Sequence, residues 1–397
     1  MRLFFIVILL LFVSCEIKEE GLIYKPISIS IDVESTSNLK MSEFFSDIEY
    51  IELVTPPNKF VGNVFKIINK NEKLFLYDRS NNNVWVFNEE GYYLNDIQIP
   101  VGRGPADLEH LTDIYITDSE EIHALGQFKI VVYDVKGNFL RNISLDFNPF
   151  NIFYLEDLQL YGGYAATMLN SRIDDKYKDS HVLYFDNKGE IFEKDITIRK
   201  GSEGIRYNIP NYFSEFNGDT FFSPHLDDTI YKFEDGQFVP YYSLDFKEFK
   251  VTDDVLAKRD SYSEIIWDWR DFWESEILNN GLISNITFYE FTDEFLFLKV
   301  GNRYSQHLAV YNRATNEVQV GNARFINDID KGPSPFIYLS SDTDLFTIID
   351  ENTLIQHAQE LDLSMENFNE QTKKFVEFAK AKNQDGNPVI VKYVIQE

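Results

Sequence analysis

The 397-residue chain has a single cysteine, Cys15, which excludes an intramolecular disulfide and any metal site built from thiolates. Its six histidines (110, 123, 181, 225, 307 and 357) are scattered, with no HExxH spacing, so no zinc site is expected. No GxSxG elbow occurs, and the one glycine-rich loop lacks both the Lys-Ser/Thr and the following helix of a phosphate loop. Basic residues are scarce, 37 against 65 acidic ones, giving a formal charge of −28. Nucleic acid and anionic lipid are repelled by such a chain, whereas solubility is favoured. Carboxylates are too numerous for any pair to stand out as acid and base.

What is abundant is aromatic: 35 Phe and 23 Tyr, residues that favour strands. Residues 72–98 hold three apolar runs separated by polar turns, which is the pattern of antiparallel hairpins. An aromatic followed by an acidic or polar turn recurs at Phe87, Tyr133, Phe185, Phe233 and Tyr311. The steps are 46, 52, 48 and 78 residues, and the last falls to 47 if the 31 helix-like positions 250–280 are an insertion. Leu74–Phe87 aligns without gaps on Thr220–Phe233. One small sheet cannot bury its own face, so a strand-only repeat of this length predicts propeller blades.

Taken in order, Met1–Cys15 has a basic start and an apolar core, Leu3–Val13, too short to span a bilayer, as in a secretory signal. Leu11-Phe12-Val13-Ser14-Cys15 resembles a bacterial lipobox, which implies lipid on Cys15; an ordinary signal peptide with a stray cysteine is the other reading. Glu16–Glu20 resembles an acidic surface-export signal, and 16–40 reads as a solvated tether. The propeller is expected over 41–397. Its latch pairs Ile48–Val54 with Pro388–Ile395, so that both ends of the chain complete one blade and no edge stays open. Blades are expected at 61–99, 111–145, 151–198, 212–246, 282–320 and from 336 onward. Two helical insertions interrupt them, at about 250–280 (cap Thr252; Ile265, Trp269, Phe272 and Trp273 near one face) and about 361–383 (cap Ser364; Phe368, Phe375, Val376 and Ala379). The tryptophans either cover a blade edge or, if exposed, stack on a glycan.

Four segments, Ser46–Leu53, Gly102–Leu108, Phe325–Pro333 and Asn387–Val391, together resemble the six-bladed, NHL-like β-propeller lipoproteins of Gram-negative gut-type bacteria. Ala106, Asp107, Leu108 and Lys331 depart from the usual pattern of that group. The resemblance implies an all-β six-bladed propeller and an outer-membrane lipoprotein, periplasmic or surface-exposed, touching the membrane through its lipid alone. It implies no particular activity.

Propeller connectivity places the loop Gly102–His110 on one face with Arg79, His225 and Arg303, the last three in matching register. With Arg103 and His110 they would form a cationic rim for an anionic ligand. The other reading pairs the arginines with local acids such as Asp78. Two functions follow. The first is a non-catalytic binding module for a glycan, peptide or envelope protein, without cofactor, metal or nucleic acid. The alternative is a calcium-dependent hydrolase or lyase, whose ion would need oxygens such as those of Asp113 and Asp328 to converge on the axis.

Overall fold

The computed structural model describes residues 24–34, 36–165, 170, 173–203, 211–262, 269–334, 339–340, 344–362, 368–382 and 386–396. The signal segment, Cys15, Glu16–Glu20, Ile265 and Ser364 lie outside them.

Six sheets stand in a ring, each built on four antiparallel strands; in five of them these run in sequence order from the axis outward, and in the sixth the outer strand comes from near the other end of the chain. Hydrogen-bonded neighbours cover both edges of the second and third strands, and adjoining blades cover both faces. These strands therefore read as unbroken apolar runs: Leu74, Phe75, Leu76, Val84, Val86 and Phe87 are all fully buried. Separate apolar cores fill each junction between blades, for example Phe75, Val86, Ile114 and Val131 between blades 1 and 2. The inner strands are Val64–Lys70, Asp113–Ile116, Ile152–Leu155, Phe213–Phe216, Asn285–Phe291 and Leu339–Ser340.

The latch forms as expected. Phe45–Glu52 is the outer strand of blade 6 and pairs antiparallel with Val389–Ile395, Tyr50 opposite Val391 and Ile48 opposite Tyr393. The outer strands of blades 6, 1 and 2 reach the turn between the third and fourth strands of the next blade. The glycine ending that turn has φ of +85° (Gly91), +83° (Gly137) or +84° (Gly189). A Cβ on Gly91 would stand 2.2 Å from the Glu52 carbonyl, and one on Gly189 would stand 2.0 Å from that of Ser144. The repeat glycine thus serves the contact between blades as well as the turn.

Three expectations are corrected. The segment read as a tether is bound to the ring from Ile27: Ile27–Ser30 adds a fifth, parallel strand to blade 4, Ser37 bridges Gly321 of blade 5, and Lys40 bridges Ile326. The cause is the alternation Ile27, Ile29, Ile31, of which Ile29 and Ile31 are buried. Second, the last insertion is a pair of helices, Glu351–Asp362 and Glu370–Lys380, and the second is capped by Asn369, whose side chain accepts from Thr372 N at 2.7 Å. Phe375, Val376 and Ala379 are buried as expected, and Leu354 and Ala358 of the earlier helix join the same core. Third, the described residues of the 250–280 insertion form short helical turns. Thr252 caps the first through Val255 N, and the second, Arg270–Phe272, passes into a π-helical turn, Trp273–Leu278. Trp273 is buried with Leu226, Leu256 and Phe272, so it covers blade 4 rather than facing solvent.

Candidate functional site

The expected cationic rim does not assemble as drawn. Arg79 is exposed over the Phe65 ring at 5.0 Å, and Asp78 is no partner for it. That carboxylate accepts from Gly62 N, Ser80, Asn81 and Trp85 Nε1 at 2.7–3.2 Å. Burial pushes the Asp78 carboxyl up, yet those donors outweigh it and hold it below the usual range. Arg103 is 90% exposed and paired with Glu109 at 2.6 Å. His110 and Arg303 are exposed. His225 is the correction: it is 4% exposed, its Nδ1 lies 2.9 Å from the Tyr164 hydroxyl, and burial holds it well below the ordinary imidazole range. Its register at the turn is as expected. The next residue, Leu226, packs beneath the 250–280 insertion, which closes this turn to solvent.

His181, 6.2 Å from His225 between ring centroids, is likewise neutral, its pKa lowered by burial to about 3. Burial lowers that of His123 to about 4 against the pull of Glu121. Below about pH 6.5 the unfolded chain protonates these rings while the folded chain does not, so stability falls with pH by about 1.4 kcal/mol per unit for each. Carboxyls raised by burial, such as Asp227 and Asp330, act in the opposite sense. His181→Phe is therefore expected to flatten the stability profile by about 1.4 kcal/mol per pH unit between about pH 6 and 4. Urea unfolding at several pH values reads this directly, and an unchanged slope would show that the folded chain protonates His181.

The opposite face holds a more connected arrangement. There the inner strands end and turn into the second strands, so their last residues converge on the axis. Deeper in the channel, at the starts of the next two inner strands, Lys66 donates to Asp113 Oδ1 at 2.9 Å and Ile152 N donates to Asp113 Oδ2 at 3.0 Å, tying three successive inner strands together. Lys70 pairs with Asp118 at 2.6 Å, lies 3.9 Å from Glu156, and stands 5.9 Å from the Tyr115 ring centroid. Burial, with the Glu215 carboxylate nearby, pushes the Tyr115 phenol up. Lys70 and Glu215 belong to blades 1 and 4, diametrically opposite in a ring of six, and they interact electrostatically. Only the axis lets them do so. Solvent reaches Glu215 through the opening. Surrounding protein still pushes its carboxyl up, more than Lys70, Tyr115 and Lys66 draw it down. Perturbation by burial together with specific partners marks functional sites more often than chance.

From this cluster a cavity of about 420 Å³ runs outward between blades 2 and 3, lined by Thr117, Ser119, Glu121, Arg141, Tyr154, Glu156, Gln159 and Asn187. Arg141 holds Glu121 with two bonds, 3.2 and 2.9 Å, and that donation keeps the Glu121 carboxyl low. Behind them His123 Nε2 lies 3.2 Å from Glu121 and Nδ1 lies 3.0 Å from the Tyr161 hydroxyl. A neutral ring satisfies both by donating from Nε2 and accepting at Nδ1. A second cavity, about 550 Å³, opens at the seam of blades 6 and 1, with Glu49, Glu52, Glu89 and Glu90 among its walls.

Among the described residues no three His, Cys, Asp or Glu side chains are grouped to hold a metal ion. Asp113 is tied to Lys66 and Ile152, whereas Asp328 sits at the rim accepting from Ser42 N at 3.0 Å and Oγ at 2.6 Å. The two do not converge, so these residues do not fit a shared calcium ion. Nor is any helix of the described residues long and apolar enough to cross a membrane.

Among solved structures the chain is similar to a protein from Bacteroides fragilis described as exported, with a TM-score of 0.74 and 20% identity over 94% of this chain and 100% of that one. A member of the DUF4221 family from Bacteroides vulgatus matches with a TM-score of 0.43 and 11% identity over 89% and 97%. A streptogramin B lyase matches with 0.39 and 13% over 77% and 80%. At these identities only the first carries weight, and what it shows is the fold. No curated protein matches the chain. Residues 26–394, the whole ring with its fifth strand on blade 4, match one family, and the chain belongs to it: DUF4934, a domain of unknown function.

Proposed function

We propose that this chain is an exported β-propeller, held at the outer membrane by lipid on Cys15, that binds a ligand without transforming it. The observation that carries the reading is the placing of Lys70 over the Tyr115 ring, 5.9 Å away, with Glu215 of the opposite blade close enough to act on both across the axis. Binding sites of propellers and barrels gather at the axial mouth because every strand contributes one end there. Export is supported by the signal-like Met1–Cys15 and by the fold shared with a protein described as exported. A lipid on Cys15 would lie twelve residues before Ile27, the start of the strand on blade 4. At roughly 3.3–3.6 Å per extended residue, that leaves blade 4 within about 40 Å of the membrane.

The test has two arms. Labelled palmitate should enter the wild-type chain and not Cys15→Ser, which should leave the membrane fraction. The chain from residue 21 onward, screened on glycan, peptide and envelope-protein arrays with and without calcium, should yield a bound ligand that is recovered unchanged. A ligand released in altered form would replace this reading with a catalytic one.

A further inference from the structure

In the cavity between blades 2 and 3 both lining carboxylates are held in place: Glu121 by Arg141 through two bonds, and Glu156 by Asp118 N at 2.7 Å, with Lys70, which pairs first with Asp118 at 2.6 Å, 3.9 Å away. Glu121, Glu156 and Asp118 against Arg141 and Lys70 leave the site slightly negative, so an anionic ligand is disfavoured. Its remaining surface is polar and neutral, with the Gln159 and Asn187 amides exposed at its edge and the Thr117 and Ser119 hydroxyls 3.0 Å apart.

One wall is aromatic. Tyr154 is half-buried, braced from behind by Tyr161 at 4.5 Å and His123 at 5.0 Å between ring centroids. That backing fixes the ring as a platform before any ligand arrives, so little side-chain entropy is lost on binding. A flat ring beside carboxylate and amide groups suits a ligand with a C–H face and a periphery of hydroxyls. Each planar carboxylate or amide presents two polar atoms at the spacing of neighbouring hydroxyls on a saturated ring. The volume, about 420 Å³, falls within the usual roughly 300–1,000 Å³ range of small-ligand sites.

Resting on the binding reading above, we propose that this cavity is a carbohydrate subsite. It takes a neutral pyranose ring stacked on Tyr154, its hydroxyls shared among Glu156, Gln159 and Asn187, with the rest of the chain of sugars leading toward the axial mouth.

The experiment uses the chain from residue 21 onward, which contains every described residue, and titrates it by calorimetry with methyl glycosides of glucose, galactose, mannose and N-acetylglucosamine and with short neutral oligosaccharides. At least one should bind. Tyr154→Ala should weaken that binding at least tenfold. Asn187→Ala, at an exposed turn position where folding is not at stake, should weaken it several-fold, and Glu90→Gln in the seam cavity should leave it unchanged. A sugar bound equally well by Tyr154→Ala and Asn187→Ala would overturn the site. If no sugar binds while a peptide or protein does, the carbohydrate class is overturned and the binding reading stands; if nothing of any class binds, both fall.

Discussion

Ile390→Asp should abolish the folded ring. Ile390 is fully buried in the third strand of blade 6, paired with Ile51 on one side and Ile348 on the other. It packs with Leu74 and Trp85 of blade 1 across the seam. The substitution removes the burial of an isoleucine and places a carboxylate with no partner among apolar side chains. Together these cost more than about 5 kcal/mol, comparable with the whole stability of many domains. The variant should lose its cooperative thermal transition and bind a hydrophobic dye. Ile27→Asp, at a 43% exposed position on the fifth strand of blade 4, should cost under about 1 kcal/mol. A melting temperature for Ile390→Asp within a few degrees of the parent would contradict the seam described here.

The second large effect is expected at Gly189. Alanine there combines a left-handed backbone, φ +84°, with a Cβ 2.0 Å from the Ser144 carbonyl of the preceding blade, so either blade 2 or blade 3 must move. Gly236 has nearly the same φ, +88°, with nothing within 4 Å of its Cβ. Gly236→Ala should cost about 1 kcal/mol, the backbone preference alone, and Gly189→Ala about 3 kcal/mol. Urea unfolding separates the two, and equal costs would mean that this glycine serves its turn only.

These two residues show why so much of the fold was legible. The turn glycine recurs in the sequence because the turn needs a left-handed residue and, at Gly91 and Gly189, because the preceding blade leans on it, and the strand runs beside it are apolar because both faces of a blade are covered. Both constraints act within about fifty residues, and the latch segments carry the same alternation. Elements outside the repeat were harder to read. Ile27, Ile29 and Ile31 alternate as a strand should, but their partner, Gln237–Asp245, lies more than two hundred residues away. Leu354 and Ala358 carry helical spacing in a stretch expected to belong to the last blade.

The site was the least legible part. Counting along the repeat found the right turns, and Arg79 and Arg303 are exposed on the expected face, but no count reveals that an insertion buries His225. The axial cluster draws on Lys66, Lys70, Tyr115, Glu156 and Glu215 from four blades, each an unremarkable polar residue in its own strand or turn. A register comparison of the first-to-second-strand turns, like the one made for the second-to-third turns, would have brought Lys70, Asp118 and Glu156 together.

The central claim is that ring closure brings residues of opposite blades to one axial point, and the titration of Glu215 tests it most directly. Carbon-13 NMR of the glutamate side chains, with Glu215→Gln to assign the signal, should give a pKa above the ordinary glutamate range, and Lys70→Met should move it further up, because Lys70 draws it down. An ordinary pKa that Lys70→Met leaves unmoved would place the two residues apart and contradict the account.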